Sequence, residues 1–218
     1  MEFLSLLIDF ITNMPAILNL WSHQMGFWVY IILFAVIFAE TGLVVTPILP
    51  GDSLLFALGA LAAVDDAYFN VWILFAVMFV AAVLGDFVNY HIGEFFGRKL
   101  IASNKIKFIN QQHIDKTHQF FVKYGGKTIV LARFMPIVRT YAPFVAGMGS
   151  MNKRLFFMYN VIGGFVWVGL FLIAGYYFGN IEMVKTNFHL VIAAIIVISF
   201  LPPLYEFLRA RSEKMVKN

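Results

Sequence analysis

Apolar residues form long blocks along this chain, and short polar segments separate the blocks. The blocks cover roughly residues 3–20, 26–49, 53–64, 71–97, 128–149, 155–179 and 187–208. A helix needs about twenty apolar residues to cross a bilayer. The pattern therefore predicts an all-α polytopic membrane protein with transmembrane helices at 71–97, 155–179 and 187–208. Residues 1–25 fit either a span or a segment at the membrane surface.

Two apolar blocks are interrupted in a way that predicts hairpins rather than spans. Block 53–64 is too short to cross a bilayer, and a turn sequence separates it from block 26–49. We interpret this pair as a re-entrant hairpin that enters and leaves the membrane on one face, and block 128–149 as a second one. The residues expected to break the two hairpins are Pro47, Pro50, Gly51, Pro136 and Pro143.

Composition supports a membrane location for the whole chain. Of its 218 residues, 61% are hydrophobic and 13% are charged, whereas about a quarter of the residues in a soluble domain are charged. This length allows a single membrane domain, residues 1–218, without a separate soluble enzyme domain. The sequence contains no cysteine, which excludes disulfides, thiolate metal sites and cysteine nucleophiles.

Charge is distributed unevenly and gives a predicted orientation. Residues 1–97 contain eight acidic residues and no Lys or Arg, so all sixteen basic residues follow them. Lys and Arg accumulate on the cytoplasmic side of membrane proteins, which explains the basic charge better than a nucleic-acid partner does. We expect the link 98–127, the segment 150–154 and the C-terminus in the cytoplasm, and residues 65–70 outside. The link is expected to be an amphipathic helix on the membrane surface.

Three spans and two hairpins satisfy these placements and suggest an internal repeat. The first repeat is 26–97 and the second is 128–179, each a hairpin followed by a span, and the final span 187–208 follows them. Hairpins that enter from opposite faces would make the repeats inverted copies, which is a transporter design. The spans of both repeats end in one motif, Gly93-x-x-x-Gly97 and Gly175-x-x-x-Gly179. Helix packing alone explains this motif more simply.

Four ionisable residues lie inside the apolar hairpins. They are Glu40 and Asp52 in the first hairpin and Arg133 and Arg139 in the second. Each costs roughly 2.5–3.5 kcal/mol at the centre of a membrane helix, so we expect the acids to neutralise the bases where the hairpins meet. A purely structural ion-pair cluster is the alternative, although a buried ion pair stabilises little compared with an apolar contact.

The types of these residues indicate anion and proton chemistry. Arginine keeps its charge when desolvated, and its planar fork binds phosphate through two hydrogen bonds. Arg133 and Arg139 are therefore candidates for phosphate binding. Glu40 and Asp52 are candidates for proton coupling, because burial disfavours the charged form of a carboxyl group.

One further polar stripe lies on the span 71–97. Asp86 and Tyr90 fall on one helical face, and either could serve the site as an accessory residue or simply pack within the protein. The histidines are scattered, so no metal site is expected. The sequence has no nucleophile motif, Walker loop or dinucleotide fingerprint, and we expect neither an enzyme nor a cofactor.

Several segments resemble the DedA family of bacterial inner-membrane proteins, over nearly the whole chain. They are ETGLVVTPILPGDSLLFALGAL at 40–61, GDFVNYHIG at 85–93, DKTHQFFVKYGGKTIVLARFMPIVRTYAPFVAGMG at 115–149 and YNVIG at 159–163. The resemblance implies two membrane-dipping hairpins in inverted repeat and a role in envelope homeostasis linked to the proton-motive force. It also implies that the acids and arginines required by the family correspond to Glu40, Asp52, Arg133 and Arg139. Family members are implicated in returning undecaprenyl phosphate to the cytoplasmic leaflet, and others in phospholipid translocation.

The sequence and the resemblance together predict a proton-linked flippase for a lipid phosphate in the bacterial inner membrane. Its partners would be protons and a polyprenyl phosphate or phospholipid. A homo-oligomer is compatible with this prediction. Two alternatives stay open. An ion or small-solute antiporter could use the same charges, and a membrane organiser without transport could need them only for structure.

Overall fold

Helices are the only regular structure in the part of the chain that the computed structural model describes, residues 26–43, 51–63, 68–103, 118–119, 121–149 and 151–186. Those with described bounds are α1 (Trp28–Gly42), α2 (Gly51–Ala62), α3 (Val71–Ser103), α4 (Thr128–Ala132), α5 (Pro136–Met148), α6 (Lys153–Gly179) and α7 (Glu182–Thr186). A 3₁₀ turn, Gly125–Lys127, leads into α4. The predicted all-α class is confirmed for these residues.

Two of the helices, α3 and α6, are long and apolar enough to cross a membrane. Their apolar parts are Val71–Phe96, with 26 residues, and Lys153–Gly179, with 27 residues, and an 18-residue stretch within each has a mean hydropathy of 2.4 and 2.0, respectively. At about 1.5 Å per residue each is roughly 40 Å long, and the hydrocarbon core of a bilayer is about 30 Å thick. They match the spans predicted at 71–97 and 155–179. The third predicted span, 187–208, lies outside the described residues.

Helix α3 continues past the predicted end of its span. It ends at Ser103 rather than near residue 97, so Arg98 and Lys99 belong to the helix and not to the expected cytoplasmic link. Arg, Lys and Leu are good helix formers, and no proline follows to stop the helix. The link therefore begins later than predicted. Of its other residues the structure describes 118–119 and 121–127, which are helical, while 104–117 and 120 lie outside the described part.

The exposed surface of the two long helices is apolar. Apart from Lys153 and Arg154 at the start of α6, the exposed side chains described on α3 and α6 are apolar. Trp72, Phe95 and Phe165 are examples, each more than half exposed. A soluble protein rarely exposes so large an apolar surface, and lipid is the environment in which such a surface is stable.

The short helices flank the predicted breaks. Pro47 and Pro50 lie outside the described residues, and Gly51 begins α2. Pro136 occupies the first turn of α5, after an extended Met135, which is where proline fits a helix. The prediction that Pro143 breaks the helix is wrong, because α5 continues through it. Proline removes one backbone hydrogen bond and favours a kink, but the rest of a helix can continue around it.

The re-entrant paths of the two hairpins stay a prediction, as does the assignment of one membrane domain. Among the described residues two compact units can be distinguished. The smaller unit contains residues 26–29, 51–63, 68–71 and 171–186, and the larger contains 30–43, 72–103, 118–119, 121–149 and 151–170. Each unit draws on both predicted repeats.

In the smaller unit, α2 packs closely on the last turns of α6. Gly59 faces the backbone of Leu172 and Tyr176, and Gly175 faces the backbone of Phe56. A Cβ atom at either glycine would overlap main-chain atoms of the other helix. Glycine at these two points therefore lets the two backbones touch.

In the larger unit, α5 packs on α3 in the same manner. Gly147 faces the backbone of Tyr90 and Glu94, and Gly93 faces the backbone of Phe144. The side chains buried around this interface include Ile129, Ala132, Val138, Ala142, Ala146 and Phe156. Gly93 thus serves helix packing, which is the simpler of the two explanations for the Gly-x-x-x-Gly motif.

The two interfaces correspond residue by residue. The short helix of each carries Phe-x-x-Gly, Phe56 to Gly59 in α2 and Phe144 to Gly147 in α5. On both long helices the packing glycine follows the contacted residue by three positions. The second arm of each predicted hairpin therefore packs on the long helix of the other predicted repeat. This correspondence agrees with an internal repeat, and its inverted orientation stays a prediction.

Candidate functional site

A polar cavity lies inside the larger unit, among apolar helices. Its lining residues are Glu40, Thr41, Asp86, Arg133, Arg139, Thr140 and Trp167. The empty volume of the cavity, with its open mouth included, is about 260 Å³. The space accessible within it in this conformation suffices for about one water molecule. A phosphate group would therefore need the lining side chains to move.

Glu40 reaches the cavity from the C-terminal end of α1, and its side chain is 1% exposed. The end of α1 lies directly against α3 because Gly85 has no side chain at the contact. A Cβ atom at Gly85 would overlap the hydroxyl of Thr41. That hydroxyl donates to the carbonyl of Ile37, 2.9 Å away, inside α1. Local sequence thus brings a carboxylate on α1 next to the helix that carries Asp86.

Arg133 lies in the break between α4 and α5 and is 5% exposed. Its Nη2 atom donates to Asp86 Oδ2 and to Asn160 Oδ1, each 2.5 Å away. Asn160 in turn donates from Nδ2 to the carbonyl of Val83, 2.9 Å away, so its amide is fixed between α6 and α3. The guanidinium group of Arg133 is therefore held by oxygen atoms from two long helices. Among the described residues its Nε atom has no hydrogen-bond partner.

Arg139 follows in the first turns of α5 and forms an ion pair with Glu40. Its side chain is 14% exposed, more than that of Arg133. One amide holds the segments that carry this pair: Asn89 Nδ2 donates to the carbonyl of Thr41 at 3.1 Å and to the carbonyl of Thr140 at 3.0 Å. These carbonyls belong to the residues that follow Glu40 and Arg139. Asn89 on α3 therefore sets the distance between α1 and α5 at the pair.

Trp167 forms one wall of the cavity and was not identified from the sequence. It is 1% exposed, and both guanidinium groups lie over its ring. The Cζ atom of Arg133 is 5.8 Å from the ring centroid and that of Arg139 is 5.4 Å away. These distances are within the range of cation–π attraction. The sequence has four Trp residues among 25 Phe and nine Tyr, and nothing in their spacing marks this one.

The structure brings together most of the residues that the sequence selected. The predicted neutralisation between hairpins is present for Glu40 and Arg139. The acid beside Arg133 is Asp86 of α3, which the sequence analysis named only as an accessory candidate. Asp52 belongs to the smaller unit, half-buried in the first turn of α2. Its assignment to proton coupling stays a prediction.

Tyr90 packs rather than faces the cavity. Its ring stacks on Phe156 with centroids 4.3 Å apart, and its hydroxyl donates to the carbonyl of Met151. Of the two accessory candidates, Asp86 therefore lines the cavity and Tyr90 does not. The helical-face argument placed both on one side of α3, but that side contacts different neighbours at successive turns.

The described residues that line the cavity carry balanced formal charges. Among them, two arginines face two carboxylates. Within the described part of the chain no group of three or more His, Cys, Asp or Glu side chains is arranged to hold a metal ion. The chemistry available to these four groups is ion-pair exchange, in which an incoming anion replaces a carboxylate on an arginine, and proton uptake by the released carboxylate.

Comparisons with known proteins show what the chain is similar to. The VTT domain matches residues 49–177. The chain is 54% identical over 209 residues to the protein DedA of Escherichia coli (strain K12), which covers 96% of this chain and 95% of that protein. An uncharacterized membrane protein of Mycobacterium leprae (strain TN) is 39% identical over 187 residues, 84% of this chain and 83% of that protein. The inner membrane protein YqjA of Escherichia coli (strain K12) is 33% identical over 151 residues, 69% and 68% of the two chains. No solved structure matches this chain.

Proposed function

The chain belongs to the DedA family of VTT-domain membrane proteins, and we propose that it moves a lipid phosphate across the bacterial inner membrane together with protons. One observation carries this proposal. Two arginine–carboxylate pairs, Arg139 with Glu40 and Arg133 with Asp86, line one cavity between apolar helices. Charges in such a place are costly and mark substrate and proton pathways in membrane proteins.

Phosphate is the substrate group that this cavity suits best. Each arginine offers a planar fork of N–H donors that matches phosphate oxygens. The apolar outer faces of α3 and α6 would leave the hydrocarbon tail of the substrate in the bilayer. Undecaprenyl phosphate, the lipid implied by the family resemblance, has this anatomy of a phosphate head and a long apolar tail, and we propose it as the substrate. Another phospholipid would meet the same requirements.

Proton coupling follows from competition between carboxylate and phosphate for one guanidinium group. Phosphate can bind Arg139 once Glu40 releases it, and a proton on Glu40 removes the charge that holds the pair together. Phosphate and proton would therefore bind together and leave together. The proton-motive force drives protons towards the cytoplasm, so this coupling would carry the lipid phosphate from the outer to the cytoplasmic leaflet.

Transport in proteoliposomes tests the proposal. The vesicles contain the purified protein and a small fraction of undecaprenyl phosphate, and an impermeant phosphatase reports how much phosphate remains outside. We expect an imposed proton gradient to move the lipid with wild-type protein. Arg139→Lys should reduce this rate on the order of tenfold or more while the protein still inserts, because lysine keeps the charge and loses the fork. Arg154→Lys, at an exposed arginine on α6, is the matched control.

Three outcomes, in the same vesicles, in vesicles without the lipid and in cells, separate the alternatives. Normal transport by Arg139→Lys would contradict phosphate recognition by this arginine. Proton-driven ion flux in vesicles without lipid phosphate would favour the antiporter. Full function in cells after replacement of Glu40 and Arg139 together by uncharged, well-packed residues would favour the membrane organiser.

A further inference from the structure

Trp167 is placed where it contacts both arginines of the site. We propose that its indole ring is the platform that holds Arg133 and Arg139 together as one two-pronged phosphate receptor. The inference rests on the proposed function, because it specifies how the same site would bind its substrate. It makes Trp167 a positioning residue that acts through the two guanidinium groups.

The need for a platform arises from like charge. In the described conformation Asp86 and Glu40 keep the two guanidinium groups in place. When protons neutralise these carboxylates before phosphate has bound, two positive groups share one small cavity without their counter-charges. The face of the indole ring is then a fixed region of negative potential that both cations can still contact, and Trp is the strongest of the aromatic residues in this role.

Helix α6 is shaped for this contact. Arg133 extends across Gly163 and Gly164, where a Cβ atom would lie 3.1 Å from its Nε atom and 3.6 Å from its Nη2 atom. Trp167 follows these glycines by one helical turn, so all three occupy one face of α6. Larger residues at the glycines would crowd the arginine away from the ring. The sequence Gly163-Gly164 followed by Trp167 thus combines a groove for the side chain with a ring for its charged end.

Packing alone is the rival explanation, since Trp167 is a large buried side chain. The two explanations differ in what the ring must provide. Packing depends on its volume, whereas cation–π attraction depends on the electron density of its face. Fluorine atoms on the indole lower that density with little change in volume.

The experiment replaces Trp167 by mono-, di- and trifluorotryptophan, introduced at a reassigned codon in the full chain. The same series at Trp72, which is 71% exposed, is the matched control. Binding of farnesyl phosphate to the purified protein in nanodiscs is measured, with farnesol as the uncharged comparison and a short-chain phosphatidic acid as the alternative lipid phosphate. We expect affinity for the phosphate to fall stepwise with fluorine number at 167, roughly tenfold over the series, and to stay constant at 72.

A ligand-free measurement tests the platform separately. The ¹⁹F resonance of monofluorotryptophan at 167 should shift in Arg139→Gln, because a cation leaves the ring, and it should not shift in Arg154→Gln. The platform would be overturned if the affinity for farnesyl phosphate stayed constant across the fluorine series at 167. It would also be overturned if the ¹⁹F resonance at 167 did not shift in Arg139→Gln. Failure of the wild-type protein to prefer farnesyl phosphate over farnesol would instead contradict the proposed function, and with it the role of Trp167 in binding. A response to phosphatidic acid equal to that to farnesyl phosphate would assign the receptor to lipid phosphates in general.

Discussion

Arg133 and Arg139 share a cavity but differ in what surrounds them. Arg133 is held by Asp86 and Asn160 on two long helices, and it is the more deeply buried of the two. Arg139 pairs with Glu40 and is the more exposed. We infer that Arg139 meets the substrate first and exchanges its partner, while Arg133 keeps a fixed position in the receptor. The Glu40 pair is therefore the place where a single substitution should change proton coupling.

Glu40→Gln is expected to separate binding from turnover. The amide keeps the shape of the side chain but no longer competes as an anion for Arg139. Wild-type affinity for farnesyl phosphate should fall as pH rises, because deprotonated Glu40 re-forms the ion pair. In Glu40→Gln the affinity should match or exceed that of wild type and lose this part of the pH dependence. Gradient-driven flipping should fall on the order of tenfold. The measurement compares binding, flipping and protein level in one preparation.

Asp86→Asn and Asp52→Asn complete this comparison. Loss of gradient dependence in Asp52→Asn with unaltered binding would support the proton-coupling role predicted for Asp52 from the sequence. Gradient dependence that survives in Glu40→Gln would contradict coupling through Glu40. Disappearance of the folded protein in Asp86→Asn or Glu40→Gln would favour a purely structural role for the ion pairs, because removing one partner of a buried pair costs about 3–5 kcal/mol.

The sequence could identify Glu40, Arg133 and Arg139 because a charge inside an apolar block stands out. It could not identify which acid meets Arg133. Asp86 and Asn160 lie 47 and 27 residues away along the chain, and only the packing of α3 and α6 brings them to the arginine. Trp167 was missed for a similar reason, since an aromatic residue in an apolar span is expected whatever its role.

At the level of helices, spans were predictable and their contacts were not. Hydrophobic length located α3 and α6, because about twenty apolar residues suffice to define a span. The glycines of both spans indicated close packing, but the sequence gives no partner for a packing glycine. Those partners are the Phe-x-x-Gly segments of α2 and α5, and only the structure shows that they contact the glycines of the long helices. Pro143 shows the limit of a local rule, since proline lowers helix stability without ending every helix.

Substitution of the packing glycines tests the helix contacts. Gly93→Ala and Gly175→Ala should each lower stability by about 1–3 kcal/mol, because a Cβ atom would overlap the backbone of Phe144 or Phe56. Gly169→Ala is the control on α6, where the nearest atom, in the ring of Phe75, would lie 3.5 Å from the new Cβ atom. Thermal unfolding of the three variants in one detergent gives the comparison. A common melting temperature for all three would contradict backbone contact at Gly93 and Gly175.

For the molecule as a whole, the distribution of charge predicts its orientation. No Lys or Arg precedes residue 98, and the positive-inside rule then places the following basic segments and the C-terminus in the cytoplasm. The prediction can be checked with single cysteines, because the natural sequence contains none. An impermeant thiol reagent added to intact cells should label Asp66→Cys and should leave Lys105→Cys and Lys214→Cys unlabelled. Labelling of the latter two from outside would reverse the orientation.

Each short helix packs on the long helix of the other predicted repeat, and this arrangement also affects how the chain is made. A ribosome completes α2 long before it reaches Leu172 and Tyr176, the residues of α6 that cover Gly59. Proteins whose domains fold as units can mature in order from the N-terminus during synthesis. Here α2, the second arm of the first predicted hairpin, keeps its glycine face uncovered until the last turns of α6 have been made. Release of a nascent chain before residue 171 would leave α2 without its partner even though the residues that line the cavity, the last of which is Trp167, had all been synthesised.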